Sequence, residues 1–235
     1  MADFQKLFWA ISKDQKACYE ERQRFLADII HRYIKNASSL FGTEFRRGLD
    51  VGCGTGEFTK RFSERTGIKF VGVDPSPPKN SGGIRIVPAY ADRLPFADKS
   101  YDMITLISVF EHIKPEKRFV SLQEIYRVLS DKGILIIQIP NAKSLIDAHS
   151  LLPFFNYLPR TLQEMYAGLL YRKKIDYFTI KKDFLKSLCQ KAGFRLAHEM
   201  IFHYPKEVVP RVARIIPFLR VSFPIFLFKK GIHKV

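Results

Sequence analysis

A chain of 235 residues with 46% hydrophobic content is long enough to bury a full α/β core, and it reads as one domain with room for an inserted cap. No uninterrupted apolar run reaches the roughly 18 residues of a membrane-spanning helix, and Cys18, Cys53 and Cys189 show no metal or disulfide spacing. With no basic start followed by an apolar stretch at the N-terminus, the expectation is a cytoplasmic protein with reduced cysteines. The formal net charge of +16 is uneven, with 22 Lys and Arg against 17 Asp and Glu in residues 1–140, and 17 against 6 in residues 141–235. Such a balance suggests an anionic partner for the second part, or else a solvated lysine-rich surface.

Residues 4–36 carry a helical pattern, with apolar positions 25, 26, 29, 30 and 33 beside a charged face. Arg47-Gly48-Leu49-Asp50-Val51 reads as a short strand, and Gly52, Gly54 and Gly56 follow at alternate positions before a helix predicted from Glu57 to Thr66 and closed by Gly67. A turn this tight needs residues that tolerate positive φ, and it leaves bare backbone where a ligand comes close. The next apolar run, Ile68 to Val73, ends in Asp74, 18 residues after Gly56. An acidic side chain at the end of the second strand of a βαβ unit is where a ribose diol is gripped, so the unit reads as nucleoside-binding.

Pro75 to Gly83 is a stiff loop where a second helix would otherwise stand. A third strand is predicted over Ile84 to Val87 with Ala89-Tyr90-Ala91-Asp92 at its end, and a fourth, nearly continuous apolar strand over Tyr101 to Ile107. The latter runs into Ser108-Val109-Phe110-Glu111-His112, at the sheet edge where ligands bind in open α/β folds. A helix over 115–129, a turn at 131–133 and a fifth strand over 134–139 complete this half. Residues 141–178 interleave aromatic and basic residues and read as an insertion placed to be a substrate lid. Thr179 is the predicted N-cap of a helix over 180–192 closed by Gly193, followed by strands over 194–203 and 225–230. Between these strands, 207–224 mixes apolar residues with Arg211, Arg214 and Arg220 and is broken by prolines, a composition suited to a lipid headgroup layer. The divisions are thus a helical cap at 1–45, an α/β core at 46–140, a lid at 141–178 and the rest of the core at 179–235.

Leu49 to Gly56, Val71-Gly72-Val73-Asp74, Ala91 to Phe96 and Tyr101-Asp102-Met103-Ile104, in this order, resemble the class I S-adenosylmethionine-dependent methyltransferases of the small-molecule type. The likeness is close over about residues 45–140 and looser over 175–200. The loop is Gly-x-Gly-x-Gly, without the Gly-x-Gly-x-x-Gly spacing that seats a pyrophosphate, which favours a phosphate-free nucleoside cofactor. The resemblance implies a Rossmann-like, seven-stranded, mostly parallel sheet with helices on both faces and an inserted lid. It implies S-adenosylmethionine as cofactor, with Asp50, Gly52, Cys53, Gly54, Gly56, Asp74, Pro75, Ala91, Asp92, Arg93 and Ser108 as its binding residues. In the family an Asp at position 92 accepts a hydrogen bond from the adenine amino group, the competing reading being a cap on the following turn. The preceding helix can close over the cofactor's amino-acid end, where Arg22 or Arg24 would meet its carboxylate, although a surface role opposite Glu20 or Asp28 serves as well.

Methyl transfer from a sulfonium is an in-line displacement by a donor that is already activated, so the protein contributes proximity, orientation and a base where the acceptor is a hydroxyl. His112 is the first candidate base and Glu111 the second, with His149, His198 and His203 behind them; a Glu-His pair also occurs in family members with other acceptors, where it shapes the pocket. Ser108-Val109-Phe110-Glu111 is not the polar-Pro-Pro-aromatic run of amino-methylating DNA enzymes, and no cysteine stands there for cytosine C5 chemistry. Ser108 and Asn141 replace the carboxylates of metal-dependent catechol enzymes, so no metal is expected. The first functional expectation is O-methylation of an amphipathic or anionic small molecule, such as a lipid-linked saccharide or a quinone precursor, with peripheral contact at the inner membrane face. The alternatives are an RNA methyltransferase, which would use the positive charge and aromatic residues for phosphate contacts and stacking, and a non-catalytic cofactor-binding module.

Overall fold

The computed structural model describes residues 19–41, 44–79, 83–145, 147, 149–150, 152–171, 175–203 and 222–231. Helix α1 (Tyr19–Phe41) precedes β1 (Arg47–Val51), α2 (Glu57–Thr66), β2 (Lys69–Asp74), β3 (Ile86–Pro88) and β4 (Tyr101–Ile107). A 3-10 turn (Pro115–Lys117) leads into α3 (Arg118–Val128), β5 (Leu129–Gln138), a second 3-10 turn (Phe155–Tyr157), α4 (Arg160–Tyr171), α5 (Lys182–Lys191), β6 (Phe194–His203) and β7 (Ser222–Lys230). The seven strands form one sheet in the order β3-β2-β1-β4-β5-β7-β6. The first five are parallel, and β7 runs antiparallel to both β5 and β6. This is the expected Rossmann-like sheet, and its order reverses between β1 and β4, where open α/β sheets form their ligand crevice.

Alternation along the central strands explains why they are apolar without a break. Ile104 and Leu106 of β4, Leu135 and Ile137 of β5 and Phe226 and Phe228 of β7 pack on one face against Leu122, Ile125 and Val128 of α3 and Leu185 and Cys189 of α5. Met103 and Ile107, Ile134 and Ile136, and Ile225 and Leu227 pack on the other face against Leu26, Ala27 and Ile30 of α1 and Phe58 and Phe62 of α2. With both faces covered, each residue of such a strand is a core residue.

Helix α1 runs on to Phe41 where the pattern predicted an end at 36, the helix expected at 115–129 spans Arg118–Val128 after its 3-10 turn, and four further differences stand out. Strand β5 begins at Leu129 rather than Ile134, because Leu129 pairs with Tyr101 and the register then slips past Asp131-Lys132-Gly133, so that Ile134 meets Met103. Strand β3 starts at Ile86 opposite Gly72, two residues later than predicted. Strand β7 starts at Ser222, and Pro224 is tolerated inside it because it lies one position past the last β5–β7 pair, Ile225 with Gln138. Thr179 does not cap α5: its hydroxyl donates to Asn156 Oδ1 at 3.2 Å, the backbone stays extended, and the helix starts after Lys181. Among the described residues no helix stands between β2 and β3, as the prolines there require. The segments expected at 4–18 and over most of 207–224 lie outside the described residues.

The 141–178 stretch builds its own small core from Leu152, Phe155, Ala167 and Tyr177. Arg160 ties it shut, donating from Nη1 to the Tyr177 carbonyl at 2.5 Å and from Nη2 to the Ile175 carbonyl at 2.9 Å, with its plane 4.7 Å over the Phe178 ring. The Phe178 N–H donates to the Glu111 carbonyl at 2.9 Å, which fixes the insertion to the loop after β4. Some of its aromatics therefore hold the insertion together, while Phe154 and Tyr157 stay exposed.

Candidate functional site

The glycine loop takes the path that its composition demands. Gly52, Gly54 and Gly56 have φ of 77°, 55° and 80°, all in the left-handed region. A Cβ on Gly52 would also stand 2.5 Å from the Val109 side chain. The loop is stitched to β2, with the N–H groups of Gly52 and Cys53 donating to the Val73 carbonyl at 2.7 and 3.0 Å. Asp74 accepts from the Gly54 N–H on Oδ2 at 3.0 Å and from the Ser76 N–H on Oδ1 at 2.9 Å, and each oxygen keeps a lone pair for a ligand.

Asp50 lies beneath the loop. It is buried, and its oxygens accept hydrogen bonds from Thr59 at 2.5 Å and Thr105 at 2.7 Å, which braces β1 against α2 and β4. Burial pushes its carboxyl up to about 6, helped by the charge of Asp74 and opposed by the two hydroxyls. Cys53 is buried against Gly72, and burial likewise pushes its thiol up, so it is a packing residue rather than a nucleophile.

A cavity of about 620 Å³ opens over this edge, lined by Val51, Gly52, Asp74, Pro75, Ala89, Tyr90, Ala91, Asp92, Ser108, Val109, His112, Ile113, Lys114, Lys117 and Ser121. Gly52, Asp74, Pro75, Ala91, Asp92, Ser108 and His112 of the sequence expectation meet there, whereas Asp50, Cys53, Gly54, Gly56, Arg93 and Glu111 are not among the lining residues. Neither is Arg22 or Arg24, which stand on α1. Asp92 holds Lys117 at 2.8 Å, a partner that its position in sequence gives no hint of. Ser108 has φ 56°, an uncommon left-handed non-glycine conformation, and is held there by its N–H to the Gln138 carbonyl at 3.1 Å and its hydroxyl to Gln138 Oε1 at 2.7 Å.

The 91–98 wall is clasped from behind by α3. Arg127 donates to the carbonyls of Leu94 and Phe96 at 3.0 and 2.8 Å and pairs with Glu124 and Asp98, while Glu124 accepts from the Leu94 N–H at 3.0 Å. At the other end His112 donates from Nδ1 to the Asp176 carbonyl at 3.3 Å, leaving Nε2 as its basic nitrogen. The Glu111 carboxylate is buried behind His112, outside the lining residues, and accepts at 3.1 Å from Nε2 of His149 in the insertion. Burial works against the His149 imidazolium, but Glu111, with Asp147 and Asp176, outweighs it and holds the imidazole above its ordinary value.

A protein-family model described as a methyltransferase domain matches residues 19–199. The chain belongs to that family, the class I S-adenosylmethionine-dependent methyltransferases. An uncharacterised protein of Methanocaldococcus jannaschii is 31% identical over 100 residues, covering 43% of this chain and 47% of that protein. This chain thus spans about half the length of that relative, or less for the next ones. A Klebsiella pneumoniae ubiquinone/menaquinone biosynthesis C-methyltransferase is 28% identical across 80% of this chain and 87% of its own. The crystal structure of Burkholderia thailandensis 1,6-didemethyltoxoflavin-N1-methyltransferase superposes with a TM-score of 0.59 over 91% of this chain and 80% of that one; at 17% identity this bears on the fold.

S-adenosylmethionine is the cofactor of this family, and the residues of this chain fit the group. The bare backbone at Gly52 gives a cradle that a Cβ would fill, and Asp74 offers carboxylate oxygens for ribose hydroxyls. The cavity volume falls within the range of small-molecule sites, roughly 300–1,000 Å³.

Proposed function

We propose that this methyltransferase transfers the methyl group to a hydroxyl oxygen of a small amphipathic or anionic molecule. The observation that carries the reading is the end of the cavity where His112, its Nδ1–H given to the Asp176 carbonyl, keeps Nε2 for an acceptor beneath the insertion, beside Lys114. The cofactor supplies an electrophilic methyl group when bound. This chain's residues hold it through the glycine loop and Asp74, wall it with Ala91 and Asp92, and present a basic nitrogen where an acceptor hydroxyl must shed its proton. The Lys114 ammonium supports an anionic acceptor, and the exposed apolar side chains of the insertion support one with a greasy part.

Incubation with methyl-labelled cofactor and a panel of phenolic, carboxylated and isoprenoid or sugar-linked alcohols tests this. The expected result is an O-methyl product whose formation falls about 100-fold or more in His112→Asn, the scale of a lost acid–base group. Label appearing only on nitrogen or carbon of the acceptors would overturn the oxygen assignment while leaving the family and cofactor intact.

A further inference from the structure

The insertion carries one histidine to the edge of the acceptor site, and its surroundings are unlike those of an ordinary ion pair. One carboxylate oxygen of Glu111 and one ring nitrogen each of His112 and His149 lie within 4.8 Å of one another. Glu111 is buried to 1% exposure, and its second oxygen, Oε2, meets no hydrogen-bond donor. The Arg118 guanidinium, which feels the Glu111 charge, donates to the Ile113 carbonyl and lies over the Phe110 and Phe178 rings, and no hydrogen bond joins it to Glu111. A buried carboxylate oxygen with no donor is unfavourable, and charge acting on it from a distance does not replace the missing donor.

We propose that Glu111, His112 and His149 bind a divalent first-row transition-metal ion at the acceptor end of the cavity. Two imidazoles and one carboxylate are the donor set suited to zinc, iron(II) or manganese, and such a set leaves coordination positions open. Two atoms each about 2.1 Å from one ion lie about 3.0–3.4 Å apart. The 3.1 Å between Glu111 Oε1 and His149 Nε2 already has that separation. The supporting shell is built as well. The His112 Nδ1–H is spent on the Asp176 carbonyl at 3.3 Å, which aims Nε2 away from it, and the Tyr177 ring packs 4.5 Å from His149 while its hydroxyl donates to Asp147. His112 lines the cavity, so the open positions are within reach of a bound acceptor.

The site rests on the O-methylation reading and reassigns the His112 lone pair from a proton to the ion. A hydroxyl bound there loses its proton to solvent, its oxygen forms the bond to the methyl carbon, and the carbon–sulfonium bond breaks to leave a neutral thioether. Ser108 and Asn141, where the sequence reading looked for metal-binding carboxylates, are not used; Glu111 stands three residues beyond Ser108 after β4, and the third donor, His149, comes from the insertion.

Untagged enzyme stripped with a chelator and titrated with Co²⁺ tests this, with the visible absorption of the ion and calorimetry with Zn²⁺ as two readouts. The expected result is one equivalent bound per chain, with affinity falling more than about 100-fold in both His149→Gln and Glu111→Gln. In the same samples S-adenosylmethionine affinity should stay within about threefold, which separates a lost metal site from a lost fold or a wrong cofactor assignment. Absence of stoichiometric binding to the parent enzyme, or equal binding by His149→Gln, would overturn the site without touching the O-methylation reading.

Discussion

Asp50 and Asp74 stand at the ends of adjacent strands, and their surroundings give them opposite work. Asp74 is at the cavity, its oxygens held by the N–H groups of Gly54 and Ser76. Replacing it with Ala frees both donors and removes the cavity carboxylate that accepts from the glycine loop. Charge-assisted hydrogen bonds of about 1.5–3 kcal/mol translate to a loss of about 10- to 150-fold in S-adenosylmethionine affinity by calorimetry. Asp50 is a brace with a raised carboxyl at about 6. Because its folded value lies above the unfolded one, near 4, its contribution is fully present below pH 4 and is lost as pH rises through 6. Asn can accept from one threonine hydroxyl and donate to the other, and it carries no charge. Denaturant unfolding of the parent and Asp50→Asn should therefore diverge between pH 4 and 7 in favour of the variant, by up to about 3 kcal/mol. A difference independent of pH would mean that Asp50 is ionised without penalty.

At the scale of elements, the 91–98 wall of the cavity depends on a helix behind it. Arg127 of α3 satisfies two carbonyls and two carboxylates of the 91–98 loop and its own helix, so Arg127→Met leaves the wall without its clasp. The expected loss is about 2 kcal/mol, or about 4–8 °C in Tm for a chain of this size, together with weaker cofactor binding in the same preparation. This clasp was invisible in the sequence, where Arg127 is one basic residue on a helix, whereas the loop that it supports was readable from Ala91-Asp92 alone. The contrast is general here. The strands, α2 and its Gly67 cap followed from periodicity and glycine punctuation, because their signals are local. The start of β5 at Leu129, the role of Thr179 and the meeting of His149 with Glu111 each depend on a contact 23 or more residues away. Local pattern carries no information about such contacts.

At the scale of the whole molecule, the insertion turns one apolar face outward. Leu162, Met165 and Leu169 follow one side of α4 at 45%, 69% and 82% exposure, with Phe154 and Tyr157 also exposed, while Gln163 and Ala167 face the insertion's own core. No described helix is long and apolar enough to cross a membrane, and an exposed greasy face of this kind is suited to lying on one. The charge is on the same side of the sequence, since residues 141–235 carry 17 Lys and Arg against 6 Asp and Glu. Attraction to an anionic surface is worth about 1 kcal/mol per nearby cation and fades within a Debye length. We therefore expect co-sedimentation with phosphatidylserine or phosphatidylglycerol vesicles at low salt, weaker binding to phosphatidylcholine, and release as salt rises. Leu162→Glu with Met165→Glu should reduce vesicle binding about tenfold or more at unchanged cofactor affinity, because the two side chains lie outside the cavity and their loss opens no core. If neither vesicle type is bound at low salt, the exposed face serves something other than a lipid surface, and the acceptor reaches the cavity from solution.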